Sequence, residues 1–225
     1  MKKVWMATAL ALMVFTGCNF SFQPNKKTVY CRGEVVDKDM GLTGFDRIEI
    51  NGSADLNYVR ADENGVKVTA NEDVFQYLNF HVEDGVLYLE NIDSVQIRAE
   101  KFEIYVTGSA LKNMTVNGAT DASIVAIDSD EELAITVNGA GDIELENIKV
   151  PTLTCMVNGA GDLKASGLKV GNLNVTINGA GDMTFAGEAE HALLKVSGAG
   201  DIDVRALVCP NIETVKSGLA RIRTQ

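Results

Sequence analysis

The chain has 225 residues, 46% of them hydrophobic and 6% aromatic, with a formal net charge of −11. That length allows one sizeable core. The acidic balance repels nucleic acid and anionic lipid, and no basic patch interleaved with aromatics supports a DNA or RNA partner.

Lys2 and Lys3 precede an apolar run from Val4 to Phe15, interrupted only by Thr8. The run is too short to span a bilayer as a permanent helix, and its layout is that of a signal peptide. Phe15-Thr16-Gly17-Cys18 resembles the lipobox of bacterial lipoproteins, in which cleavage precedes the Cys and its thiol carries lipid. Leu is usual where Phe15 stands. The resemblance implies a signal peptide over 1–17, lipidation at Cys18 and a tether through residue 43. The acyl chains, rather than charge, would then hold the protein to its membrane.

Residues 45–106 contain alternating strands in FDRIEINGSADLNYV, GVKVTA, YLNFHV and GVLYLE, with turn signals at Asp62-Glu-Asn-Gly65 and Glu83-Asp-Gly85. They are expected to form an irregular first part of one sheet stack, with antiparallel pairs. Phe75, Tyr77, Phe80 and Tyr88 would cover one end of its core.

From residue 103 to 220 a corner phrase recurs: Asn117-Gly-Ala-Thr-Asp121, Asn138-Gly-Ala-Gly-Asp142, Asn158-Gly-Ala-Gly-Asp162, Asn178-Gly-Ala-Gly-Asp182 and Ser197-Gly-Ala-Gly-Asp201. A worn copy is Ser217-Gly-Leu-Ala, an early copy is Asn51-Gly-Ser-Ala-Asp55, and Thr107-Gly-Ser-Ala110 is a fragment. The main steps are 21, 20, 20, 19 and 20 residues. Between corners the pattern has period two, with Ile135, Cys155 and Val175 in one apolar column and Ile143, Leu163 and Met183 in another. Short strands returning to the same column every twenty residues predict stacked coils about 4.8 Å apart. The fold expected is all-β: a right-handed parallel β-helix-like solenoid of about twenty residues per coil, with a more irregular N-terminal portion. A two-sheet sandwich of hairpins is the competitor, but hairpins need not return to one inward column. With no long linker, a single domain is expected over 44–220, followed by a tail at 221–225.

The corners admit two readings. Gly139, Gly159 and Gly179 allow positive φ and close backbone approach, and Asn117, Asn138, Asn158 and Asn178 would stack as an amide ladder from coil to coil. Asp121, Asp142, Asp162, Asp182 and Asp201 would form a carboxylate column at about 5 Å spacing, whose repulsion a calcium ion would relieve. The simpler solution is that each Asp accepts its own corner amides and faces water. No other metal or cofactor is expected. His81 and His191 lie far apart, and no compact zinc spacing exists. Acid and base catalysis needs two carboxyls of unlike environment; these five share one neighbourhood, so no catalytic residue is assigned. An active cluster of unlike Asp, Glu and Lys near 62–101 would reverse that. Cys155 is expected as buried filler, and a Cys31–Cys209 bridge stays open.

Gly44-Phe45-Asp46-Arg47-Ile48-Glu49-Ile50-Asn51-Gly52-Ser53-Ala54-Asp55-Leu56, followed by the Asn-Gly-Ala-Gly-Asp repeats, resembles the putative auto-transporter adhesin, head GIN domain family. The resemblance covers roughly residues 44–220. It implies a β-helical fold and a bacterial envelope protein of the Bacteroidetes type, often lipid-anchored; it supplies no catalytic residues. Outer-membrane anchoring follows, with the periplasmic leaflet favoured because Asn19-Phe-Ser-Phe-Gln23 carries no acidic run. The function expected is a non-enzymatic binding module displaying a β face to protein or glycan. The alternatives are a polysaccharide-active β-helical enzyme and a structural, self-associating envelope protein.

Overall fold

The structure, a computed structural model, describes residues 27–92 and 95–224. The expected signal peptide and the lipidated Cys18 lie outside the described residues. The fold is all-β: one mostly parallel sheet gathers 17 strands, and a second pairs Lys27–Cys31 in parallel with Val95–Ala99.

The repeat dictates the pairing. Each strand that runs into a corner lies parallel to its counterpart in the next layer, so Asn51, Asn117, Asn138, Asn158, Asn178, Ser197 and Ser217 stand in one register. The strands leaving the corners pair likewise, from Asp55–Arg60 through Asp121–Val125 and Ile143–Glu146 to Arg221–Arg223. A third bank aligns Lys149 with Lys169 and Glu188. In the middle layers the chain passes from bank to bank without breaking its ladder, giving the 17-residue strand Leu163–Gly179 and the 16-residue strand Met183–Gly198. Alternation sends Ile135, Cys155, Val175 and Leu194 inward in register, all at most 1% exposed. Each such aliphatic side chain contributes about 1.5–3 kcal/mol by leaving water, and only the neighbouring layers can cover it.

The order of layers in space is not their order in the chain. After Arg60 the chain leaves the stack and returns at Asn113–Gly118, which lies directly on Arg47–Gly52. The segment between packs on the opposite side: Val86–Glu90 runs parallel to Arg47–Gly52, and Phe102–Gly108 parallel to Asp55–Arg60. Beyond these the sheet turns antiparallel, through His81–Glu83 on one bank and Gly65–Asn71 and Val35–Asp39 on the other. The regular stack therefore begins at residue 47 rather than 103. The Thr107-Gly-Ser-Ala110 fragment is no corner: Gly108 accepts a 3.0 Å hydrogen bond from the Tyr58 hydroxyl. Tyr58 is fully buried, and that burial pushes its phenol up to about 12.

The two ends differ from expectation in three further respects. Residues 27–39 are not all tether: Lys27–Cys31 and Val35–Asp39 are strands, and Val29 and Cys31 belong to the core. A strand of five residues with two buried positions is too short a period to separate from a tether by sequence. Phe75, Tyr77 and Phe80 do pack on the core, around the six-residue 3-10 helix Glu72–Tyr77, but Tyr88 lies on the outer face and stacks on His81 at 5.0 Å between centroids. Arg221–Arg223, expected as tail, pairs with Asp201–Val208. Asn71, 1% exposed, ties the cap together: its carbonyl accepts the N–H groups of Glu100 and Lys101, and its amide donates to Gly33. A buried amide with all three bonds made avoids the desolvation penalty of an unsatisfied one.

Candidate functional site

The corners form two side-chain rails. Asn117 Nδ2 donates to Asn51 Oδ1 at 2.9 Å, Asn138 to Asn117 at 2.8 Å, Asn158 to Asn138 at 2.9 Å and Asn178 to Asn158 at 2.8 Å. Five residues expected from sequence as a carboxylate column also stand in line, but their bonds differ from those anticipated. Asp121 Oδ1 accepts the N–H of Asp142 at 3.0 Å, Asp142 that of Asp162 at 3.2 Å, Asp162 that of Asp182 at 2.7 Å, and Asp182 that of Asp201 at 2.8 Å. Each carboxylate thus holds the next layer's corner rather than its own. Among the described residues, no group of three or more His, Cys, Asp or Glu is placed to hold a metal ion.

Gly139, Gly159 and Gly179 line the same corner. The carbonyl of each accepts the N–H of the Ala following the next corner's glycine, at 2.9 Å. That approach leaves no room for a Cβ.

Asp203, two residues beyond the last corner carboxylate, is electrostatically distinct. Arg205 sits over Asp203 with its Nη2 2.6 Å from Oδ2. The Arg205 side chain first, and its backbone N–H second, hold the Asp203 carboxyl down at about 2. A folded-state value below the ordinary ~3.9 adds stability above that ordinary value, and the contribution is lost as pH falls through the folded one. The Asp203→Asn variant is expected to lose less melting temperature than the wild type between about pH 4 and about pH 2. Equal acid sensitivity of the two would remove Asp203 from the account.

Among the described residues Cys31, Cys155 and Cys209 are free, with Cys31 and Cys155 buried and Cys209 half-buried. Burial pushes the Cys155 thiol far up, which suppresses the reactive thiolate. A maleimide reagent under native conditions is expected to modify Cys209 well before Cys155, as read by peptide mass. Rapid modification of Cys155 would mean that the inward column opens. His81 stacks on Tyr88, whereas His191 lies exposed in Met183–Gly198.

Sequence reasoning missed one feature, at the capped end of the second bank. Where Val35–Asp39, Gly65–Asn71 and Phe102–Gly108 lie side by side, Asp37, Asp39, Lys67, Thr69, Tyr105 and Thr107 surround a shallow depression of about 570 Å³. Gly65 contributes no side chain to it. Asp37 accepts Lys67 at 2.8 Å and the Thr69 hydroxyl at 2.6 Å, which lower its carboxyl. Glu103 is lowered by Lys101, then by the Tyr105 hydroxyl at 2.7 Å. Tyr105 is 41% exposed. The one available signal was its outward place in EIYVTG, between the inward Ile104 and Val106.

The model of a family described as putative auto-transporter adhesin, head GIN domain, matches residues 44–168 and 124–225. No curated protein matches the chain. A crystal structure of a putative adhesin from Parabacteroides distasonis ATCC 8503 is similar with TM-score 0.78 and 21% identity, over 87% of this chain and 84% of that one. A putative adhesin from Bacteroides fragilis NCTC 9343 is similar with TM-score 0.68 and 17% identity, over 88% and 100%. A putative lipid binding protein from P. distasonis ATCC 8503 is similar with TM-score 0.59 and 18% identity, over 88% and 100%. At these identities the likeness is one of fold.

Proposed function

The chain belongs to the putative auto-transporter adhesin, head GIN domain family, and from that we propose that it is a non-enzymatic envelope module that binds its ligand on an outer β face. The observation that carries this reading is the pair of rails. Asn and Asp side chains bond every layer from Asn51 to Asp201 to the next. They fix the outward rows in register, so a ligand meets a surface that needs no ordering on binding.

The layers are read as coils of a right-handed parallel β-solenoid of about twenty residues per turn. Support comes from the parallel register at each step and from the right-handed default of parallel crossovers. The domain is assigned to 44–220, with the strands at 27–39 and 221–223 closing its ends. Cleavage after residue 17, lipidation at Cys18 and anchoring in the outer membrane, on the periplasmic side, complete the reading. Its support is the lipobox-like Phe15-Thr16-Gly17-Cys18.

Against hydrolysis stands the cluster of unlike charges around Lys67 and Tyr105. Of its carboxylates, Asp37 and Glu103 are both lowered by their partners. A glycosidase acid must instead be raised to hold its proton near neutral pH. Self-association through the end layer has weaker support. In Asn211–Gly218, Thr214 and Lys216 occupy the register of the buried Leu194 and Val196, and an inward charge disfavours a further apolar layer.

Two measurements test the reading. The full chain incubated with neutral and acidic polysaccharides is expected to release no reducing ends; release abolished by one Asp→Asn change would establish an enzyme. External protease on intact cells is expected to spare the protein and to digest it after lysis. Digestion of intact cells would move the face to the cell surface.

A further inference from the structure

The depression beside Tyr105 has the chemistry of a sugar site. The Tyr105 hydroxyl reaches the carboxylate of Glu103, two residues back on the same strand and face. Successive same-face positions lie about 6.8 Å apart on a strand, close to the length of a Tyr side chain. The ring therefore leans along the strand with 41% of the residue exposed, and Glu103 is itself fixed by Lys101. Gly65, in register with Thr107 on the neighbouring strand, adds no side chain to the lining of the depression.

Polar groups surround the ring at strand spacing. Asn57 stands in register with Tyr105 on one side and Lys67 on the other. Asp39 uses one carboxylate oxygen for Gly41 N–H, leaving the second to solvent. A pyranose presents apolar C–H faces and a rim of hydroxyls. One fixed aromatic face with donors and acceptors around it matches that pattern. A protein interface would want a cluster of apolar anchors at its centre; the exposed large apolar side chains on the strands around this site, Val35, Val59 and Tyr105, stand on three separate strands rather than in a cluster. The charge also selects. Asp37, Asp39 and Glu103 face the site, while Lys67 and Lys101 are already paired with carboxylates, so an acidic sugar meets net repulsion.

We propose that this depression binds a neutral oligosaccharide, with one sugar ring seated on Tyr105. The proposal rests on the β-face reading above and narrows it to one site and one ligand class.

The test is calorimetric titration of the full chain, held in a zwitterionic detergent without a sugar headgroup. The probes are cellotetraose, mannotetraose and maltotetraose, with tetragalacturonate as the acidic counterpart. At least one neutral tetrasaccharide is expected to bind, with affinity falling tenfold or more in Tyr105→Ala and largely kept in Tyr105→Phe. Thr136→Ala, on the first bank, should leave binding unchanged. Tetragalacturonate should bind more weakly than the neutral probes. Binding of a neutral probe that survives Tyr105→Ala and falls in Thr136→Ala would overturn this site while leaving the β-face reading intact. Preference for tetragalacturonate, or binding of no probe, would overturn the proposal. Release of reducing ends from a probe would instead overturn the non-enzymatic reading. Circular dichroism of each variant separates loss of the site from loss of the fold.

Discussion

Gly159→Ala is expected to abolish cooperative folding of the layered stack rather than to weaken it. A Cβ at Gly159 would lie 2.1 Å from the carbonyl oxygen of Gly139 and 3.0 Å from its carbon. That oxygen already accepts the Ala160 N–H at 2.9 Å, so the backbone cannot retreat without breaking the corner. Gly159 also has φ +151°, a conformation that residues with a side chain rarely adopt. Strain and clash act together, and the layer below cannot absorb either because its own corner is repeated against the next. The cost is expected to exceed about 4 kcal/mol, in the exceptional range for a point change. Thermal unfolding followed by circular dichroism measures it. The exposed Ala160 next door gives the control: Ala160→Ser should change the melting temperature little. A Gly159→Ala chain that melts like the wild type would mean that the corners are not close-packed backbone.

The second large effect is expected at Phe185. Leu145, Ala165 and Phe185 stand in register across three layers, and all are at most 1% exposed. The small side chain at Ala165 makes room for the large one above it. Phe185→Ala would leave a cavity between two rigid layers that cannot collapse into it, costing about 3–5 kcal/mol. Ala165→Leu alone should overpack the column, at about 1–3 kcal/mol. Placed in the Phe185→Ala background, the same Ala165→Leu change should recover part of the loss. A denaturant titration of the four chains reads the coupling; strict additivity would show that the two side chains do not share space.

Much of this was legible because the repeat is regular. Asn138, Asn158 and Asn178 recur at one step, and any parallel register that keeps their apolar neighbours inward must stack them. The inward columns through Cys155 and Ile177 follow from period two. The Asp side chains were harder. Their column is visible in the sequence, but Oδ1 of Asp142 reaches the N–H of Asp162 only because the corner tilts each carboxylate toward the following layer, and no spacing encodes that tilt.

The candidate sugar site was invisible for a different reason. Asp37, Lys67 and Tyr105 are separated by 30 residues or more in the chain and meet only through antiparallel pairing at the cap. None belongs to the repeat, so no period points to them.

The all-β class, the corner, the inward columns and the family are each written in local alternation or in a step of fixed length, so they were readable before any fold was known. Only long-range packing decided that Val86–Glu90 and Phe102–Gly108 lie on the far side of Arg47–Gly52 and Asp55–Arg60, and that Asn113–Gly118 returns directly onto Arg47–Gly52. It also decided that Val29 and Cys31 close the core. The physical reason is that a strand's inward face specifies that it must be covered, whereas which distant strand covers it is settled by the competition of all the layers for the same apolar surface.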